Sequence, residues 1–185
     1  MLGLAAAAPA GAASPTPFGH SCAVQDGVRF CPTADSAARV PSFDGIPLDV
    51  DVTLPEKGGG PFPTIVMLHG FGGDKTDFET TSPTGPAPEK AGNGSTIYRY
   101  NNDFYAHRGY AVVNYTARGF GNSCGGGAGG EHSGACGGGY IRLADSRYEA
   151  RDTQYLLGLL ADEGIVKPAT SASPGSPTAA ARAWS

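Results

Sequence analysis

A glycine-rich corner follows a short apolar run and is the segment of the chain best suited to catalytic chemistry. The run Thr64-Ile65-Val66-Met67-Leu68 leads into His69-Gly70-Phe71-Gly72-Gly73. Glycines at such a corner let the chain turn sharply and bring backbone N–H groups close to a bound molecule. Backbone N–H groups held there stabilise negative charge that develops on oxygen only in the transition state. A tight glycine turn with a packed aromatic side chain is the alternative, and the motif alone does not choose between the two.

The segments on either side of this corner, from residue 44 to residue 115, predict three strands and one short helix. Period-two alternation over residues 46–54 is typical of a half-buried strand, and Asp44-Gly45 just before it is a hairpin signal. The continuous apolar run 64–68 predicts a strand buried on both faces of a parallel sheet. A short helix over 101–108, capped by Asn101 or Asn102 and stopped by Gly109, precedes a strand over 110–115.

The longest predicted helix covers residues 143–163, with Gly164 as its C-cap. Its spacing places six residues on one stripe that faces a core, namely Tyr148, Asp152, Tyr155, Leu156, Leu159 and Leu160. Strand, helix, strand and long helix in this order indicate an α/β fold with a mostly parallel sheet.

Three further stretches place the corner in a family context. They are Ser42–Leu48, Phe104–Val113 and Ala117–Gly125, the last of which has the pattern R-G-x-G-x-S-x-G from Arg118 to Gly125. Together with the corner they resemble the Xaa-Pro dipeptidyl-peptidase-like hydrolases of the CocE/NonD group, over about residues 41–168. The resemblance implies an incomplete α/β-hydrolase fold, made of the N-terminal strands and helices of its mostly parallel sheet.

In α/β-hydrolases this corner supplies one backbone N–H to the oxyanion hole. The resemblance therefore implies that role for the N–H of Phe71, with His69, Gly70, Gly72 and Arg118 as the supporting motif. The chain departs from the pattern at Thr116, where many family members carry Asp. Cocaine esterase-like members also use a Tyr hydroxyl near the position of Phe71, so only the backbone of Phe71 could serve.

Other polar side chains have simpler interpretations. The charges on the last predicted helix are most simply a solvated face with i,i+4 pairs, formed by Asp145, Arg147, Glu149, Arg151 and Asp152. Arg118 is expected to order its loop rather than contact substrate.

The triad order in α/β-hydrolases is Ser, acid, His, so three histidines that precede any nucleophile are rejected as bases: His69, His107 and His132. The pattern of a phosphate-binding loop is absent from the chain.

Four cysteines and the N-terminal residues favour export. Four Cys allow three pairings, of which the two local ones, Cys22–Cys31 and Cys124–Cys136, are the natural choice. Disulfides of this kind form in oxidising compartments. A zinc site is a less favoured alternative, because paired Cys-x₂₋₄-Cys spacings are absent and only His132 lies close to a Cys pair.

Residues 1–13 are apolar and small, as at the end of a secretory signal peptide that lacks its basic region; a low-complexity alanine tail is the alternative. Residues 14–40 are a Pro/Ser/Ala-rich, loop-like lead-in with one Cys pair, and 41–168 form the hydrolase-like domain. We expect a secreted protein.

Composition limits the partners of this protein. The net charge is −4 and no Lys/Arg cluster is present, which argues against nucleic acid and against an anionic membrane surface. The expected partner is a small ester or peptide substrate, and no metal or other cofactor is expected.

An α/β-hydrolase needs a strand after Gly164 that ends in the nucleophile elbow G-x-S-x-G. Ile165-Val166 begins in this way, but composition changes abruptly at Pro168, and residues 169–185 have no strand pattern. Read one base out of frame, the degenerate codons of 169–185 permit D-I-G-V-T-G-V-S-Y-G-G-G-A-S-L-V, a strand that runs into such an elbow. We therefore expect 169–185 to be a frameshifted tail, natural or from sequencing, and the triad serine, acid and histidine to be missing. A genuine Pro/Ala/Ser tail is the alternative.

Two functions remain at this point. The first is a secreted serine hydrolase of ester or peptide bonds, represented by its front part and inactive as given. The second is a non-catalytic secreted binding module that uses the Gly-rich loop with Tyr98, Tyr100 and Tyr105 as its contact surface.

Overall fold

Most of the predicted strands join one five-stranded sheet in the computed structural model, which describes residues 14–79, 100–125, 134–143 and 145–168. The strands lie in the order β1 (Ala23–Gln25), β2 (Val28–Cys31), β5 (Val50–Pro55), β7 (Ala111–Tyr115) and β6 (Thr64–Leu68). A separate antiparallel pair is formed by β3 (Val40–Pro41) and β4 (Pro47–Leu48). The two α-helices are α1 (Asn102–Ala106) and α2 (Glu149–Asp162). The predictions for residues 1–13 and 169–185 lie outside the described residues.

The described sheet is mixed, in keeping with the α/β class, but one of its four pairings is parallel where a mostly parallel sheet was expected. β6 pairs with β7 in parallel, from Thr64 opposite Ala111 to Leu68 opposite Tyr115. The other three pairings in the described sheet, β1 with β2, β2 with β5 and β5 with β7, are antiparallel. A parallel pair needs a long crossover, and in the part of the chain that the structure describes the connection from β6 to β7 contains an α-helix, α1.

The strand predicted over residues 46–54 is divided into β4 and β5, and β5 is buried on both faces rather than half-buried. Val50, Val52 and Leu54 enter the apolar core, and the alternate residues Asp51 and Thr53 are buried as well, against the turn that follows β6 and against α1. The predicted Asp44-Gly45 turn is confirmed, because Gly45 has φ +85° and β3 pairs with β4 across it.

The lead-in contributes to the sheet, so the expectation of a loop-like segment was wrong. Asp26 and Gly27, both with positive φ, join β1 to β2, and β2 pairs with β5. Val28, Phe30 and Cys31 are buried. Asp-Gly between short runs of strand-forming residues is a strong hairpin signal, and the Pro/Ser/Ala-rich composition around it obscured this signal.

β6 lies at an edge of the described sheet, and its side chains are only partly buried, contrary to the prediction of burial on both faces. Two residues before β6 begins, Phe62 forms an isolated parallel bridge with Val166. The N–H of Phe62 donates to the carbonyl of Ile165 at 2.8 Å, and the N–H of Lys167 donates back to the carbonyl of Phe62 at 2.9 Å. The chain after α2 therefore returns to the open side of β6, in parallel with it.

Both helices are shorter than predicted, but their end signals are confirmed. The side chain of Asn101 caps α1 by accepting from the N–H of Phe104 at 2.8 Å, and Gly109 stops the segment with φ +87°. Gly164, with φ +72°, follows α2. On α2, Asp152, Leu156 and Leu160 are buried as the stripe predicts. Tyr155, however, is 40 % exposed, because the buried stripe covers a narrower arc than predicted.

Both local disulfides are present. Cys22 is bonded to Cys31 and Cys124 to Cys136, so these four sulfurs are not available as zinc ligands. His132 lies outside the described residues. Within the described ranges, no helix is both long and apolar enough to cross a membrane.

Candidate functional site

The glycine corner is an exposed turn at the carboxyl end of β6. The N–H of Gly73 donates to the carbonyl of Gly70 at 3.1 Å, and Gly72 has φ +82°, a conformation that L side chains rarely adopt. Phe71 at the tip is 78 % exposed. Among the described residues, no group accepts a hydrogen bond from the N–H of Phe71. This backbone donor is therefore open to a bound molecule.

His69 connects the corner to the segment that follows β7. Its Nε2 accepts from the N–H of Ala117 at 2.9 Å, and its Nδ1 lies 2.7 Å from the carbonyl of Gly70. The ring is buried and packs edge-on against Phe120, which in turn contacts the ring of Phe71. Both ring nitrogens are engaged by the backbone, in keeping with the rejection of His69 as a base.

A second connection holds the other end of the corner. The N–H of Lys75 donates to the hydroxyl of Thr116 at 3.1 Å. Thr116 is fully buried, and its own N–H donates to the carbonyl of Asp49 at 2.9 Å. The hydroxyl of Thr116 thus serves as a hydrogen-bond acceptor for the corner.

A small apolar cavity of about 100 Å³ opens beside the corner. Its walls come from the ends of β6 and β7, from the segments that follow them and from the start of α2, and they consist of Leu68, His69, Gly70, Phe71, Tyr115, Ala117, Phe120, Leu143 and Glu149. Burial raises the pKa of the Tyr115 phenol, whose oxygen lies 2.7 Å from the hydroxyl of Thr153. The cavity therefore presents a largely uncharged surface next to the N–H of Phe71.

Arg118 is fully buried and joins three segments of the fold. Its guanidinium bonds both carboxylate oxygens of Asp152 and both of Asp44, and the hydroxyl of Ser42 also bonds Asp152. Burial alone would lower the pKa of Arg118, but the hydrogen bonds to the two carboxylates raise it above its ordinary value. Arg118 therefore orders its loop, as expected from the sequence, and does not face the cavity.

The charged face predicted for α2 is correct only in part. Asp152 is 0 % exposed and serves as the partner of Arg118, because its position on the stripe directs it into the core. Arg147 pairs with Asp145, which precedes the helix, rather than with a residue four positions away. Arg151 lies over the ring of Phe43 at 4.0 Å.

Ser123 lies in the sequence Gly121-Asn122-Ser123-Cys124-Gly125, which has the letters of a nucleophile elbow. The side chain is fully buried, donates to the carbonyl of Thr116 at 2.6 Å and accepts from the N–H of Asp49 at 2.9 Å. Of the residues that the structure describes, no histidine bonds this hydroxyl. Ser123 is therefore a structural bridge, and sequence reasoning missed this role because both partners are backbone groups.

Two glycine positions explain why the R-G-x-G-x-S-x-G string is rich in glycine. A Cβ at Gly119 would lie 2.3 Å from the backbone N of Ile141, and one at Gly125 would lie 2.3 Å from the carbonyl carbon of Phe120. The string thus packs closely against the backbone of Ile141 at Gly119 and against its own backbone at Gly125, and a side chain at either position would not fit.

A buried polar cluster lies beneath the corner. The ammonium of Lys75 bonds the carboxylates of Asp49 and Asp51, and Glu79 is buried next to them. Burial, together with the charge of Asp51, raises the pKa of Glu79 well above its usual range. Burial also raises the pKa of Asp51, against the opposing charge of Lys75.

Stability should therefore fall as Glu79 loses its proton. The pKa of Glu79 is raised in the folded state, so protonated Glu79 contributes to the free energy of unfolding. This contribution is complete below the ordinary Glu pKa of about 4.3 and is lost as pH rises through the pKa of Glu79 in the folded state. The free energy of unfolding, measured by urea titration across this range, should decrease with rising pH. Glu79→Gln should flatten that decrease, whereas Glu56→Gln, at an exposed position, should leave it unchanged. An equal slope in wild type and Glu79→Gln would contradict the assignment.

The aromatic residues proposed as a contact surface pack against one another. Tyr100 contacts Phe104 and Tyr105, and Tyr105 also contacts Tyr110. Arg108 covers the ring of Phe104 at 3.5 Å. Tyr98 and residues 126–133 of the Gly-rich loop lie outside the described residues.

Comparison with known proteins gave one family match and one similar solved structure. Residues 44–135 match the family model of the X-Pro dipeptidyl-peptidase (S15 family). Among curated proteins, none matches the chain. Among solved structures, the chain is similar to a CocE/NonD family hydrolase from Staphylococcus aureus, with 20 % identity and a TM-score of 0.45 over 76 % of this chain. The chain spans about a fifth of that structure, since the match covers 21 % of its length.

Proposed function

Because the chain belongs, through its residues 44–135, to the X-Pro dipeptidyl-peptidase (S15) family, we propose that it supplies the oxyanion corner of a serine hydrolase of ester or peptide bonds. The observation that carries this proposal is the N–H of Phe71, which is open at the carboxyl end of β6 and next to an apolar cavity. A backbone donor in a site of low polarity stabilises an oxyanion far better than the same donor does in water.

The nucleophile belongs, in this proposal, to the strand that continues from Val166. The parallel bridge between Phe62 and Val166 supports this placement, because a strand that continued along β6 would end beside the corner. In the shifted reading frame after Pro168, G-V-S-Y-G would stand at the end of such a strand, where its serine could attack the acyl carbon while the N–H of Phe71 donates to the carbonyl oxygen.

We also propose that the protein is secreted. Two disulfides are compatible with an oxidising compartment, and the small apolar residues at 1–13 resemble the end of a signal peptide. The partner is a small ester or peptide, bound with its carbonyl oxygen toward Phe71.

The contribution of the Phe71 N–H can be tested by removing the donor itself. In the protein read in the shifted frame, Phe71→Pro lacks the N–H and should lower kcat for a p-nitrophenyl ester by about 10²–10³, the usual effect of losing one oxyanion donor. The matched variant Phe71→Ala keeps the N–H and should lose far less activity, because the Phe71 side chain is exposed. Equal losses in both variants would mean that the side chain, and not the backbone, matters.

A further inference from the structure

The contacts of His69 permit one state of its imidazole ring. A backbone N–H can only donate, so Nε2 must accept from Ala117 and carries no proton. A carbonyl can only accept, so Nδ1 must carry the proton that bonds Gly70. The neutral Nδ1–H form satisfies both partners, whereas the imidazolium would direct a second N–H at the N–H of Ala117.

These contacts make His69 part of a two-point attachment of the corner. At the first end the ring bonds Ala117, and at the second end the N–H of Lys75 bonds Thr116, the neighbour of Ala117. Thr116 is in turn held by Asp49 and by Ser123. Residues 69–75 are therefore fixed at both ends to one short segment that follows β7, with Phe71 between the two attachments.

We propose that His69 is the positioning residue that orients the N–H of Phe71, through its Nε2 bond to Ala117 and the contact of its ring with Phe120. The inference rests on the proposed function of Phe71. His69 does not act as a base here, since neither ring nitrogen is free, and it does not touch the reacting atoms. If its bond to Ala117 is lost, the corner keeps its turn but loses one of its two attachments.

Two substitutions separate the two bonds of the ring. In His69→Gln, the side-chain amide oxygen reaches the position of Nε2 and can accept from Ala117. In His69→Asn, the shorter amide reaches only the position of Nδ1 and can bond only Gly70. The pair is matched in chemistry and differs in which bond it preserves.

The measurement is NMR spectroscopy of the ¹⁵N-labelled 185-residue chain. In the wild type, the ring nitrogens of His69 should show the neutral Nδ1–H form. Amide exchange at Ala117 should be about 3- to 10-fold faster in His69→Asn than in His69→Gln, the factor that one hydrogen bond is worth. An Nε2–H form in the wild type, or equal exchange in the two variants, would overturn the proposal.

Activity gives a second measurement that separates this inference from the proposed function. In the shifted-frame protein, His69→Asn should lower kcat by about 10-fold or more, the scale of a misplaced catalytic group, with little change in KM, and His69→Gln should restore most of it. An inactive shifted-frame protein would count against the proposed function, while the ring form and the exchange rates would still decide the role of His69. Equal kcat values for the two variants would overturn the positioning role alone.

Discussion

The 185-residue chain is expected to turn over no p-nitrophenyl ester and no Xaa-Pro anilide, whereas the protein read in the shifted frame after Pro168 hydrolyses at least one of them. The reason is that the corner contributes only stabilisation of the transition state. Without a serine and its base, no covalent step occurs. The hydroxyl of Ser123, whose segment has the letters of an elbow, is bonded to the backbone of Thr116 and Asp49 and is not placed to act as a nucleophile.

The experiment compares three proteins under the same assay. They are the chain as it stands, the shifted-frame protein, and the shifted-frame protein in which the serine of G-V-S-Y-G is replaced by alanine. The last should lose about 10⁴-fold or more in kcat, the usual effect of removing a triad member. Robust turnover by the 185-residue chain would contradict this account, and so would an inactive shifted-frame protein. In the second case, the binding module would become the better interpretation.

Arg118→Met is expected to destabilise the fold more than any surface substitution. The substitution leaves Asp152 as a buried carboxylate without its cation, which typically costs about 3–5 kcal/mol. For a chain of this size, that loss corresponds to a fall in Tm of roughly 10 °C. Arg118→Lys should be intermediate, because an ammonium cannot form the paired bonds that the guanidinium makes to both carboxylates.

The matched control for Arg118 is Arg147→Ala, which removes an arginine of which 79 % of the side chain is exposed and which also pairs with an aspartate. No measurable change in stability is expected there, since exposed ion pairs contribute little. A double substitution Arg118→Met and Asp152→Leu should recover part of the loss, because the unpaired charge is then gone. Urea unfolding followed by circular dichroism measures the stability of the four variants against that of the wild type. If Arg118→Met behaved like Arg147→Ala, the buried ion pair would have no structural role.

The sequence by itself determined the features that depend on neighbouring residues. The presence of a strand before His69 (though not its burial), the cap at the start of α1 and the stops at Gly109 and Gly164 were predicted correctly, because each depends on backbone conformation within a few positions. The two local disulfides and the α/β class follow from similarly short-range patterns. The hairpin of the lead-in also carried a local signal, Asp26-Gly27, which the surrounding composition obscured.

Only the tertiary structure decided where the charged and polar side chains lie. Asp152 lies on the stripe that the sequence directs toward the core, but its partner Arg118 lies 34 residues away in the chain and no local pattern identifies it. The bond between His69 and Ala117 spans 48 residues, and no pattern within the corner predicts it. Burying a charge or an imidazole is favourable only when a partner is in place. Such partners are brought together by the sheet, and the sheet exists only in the folded chain.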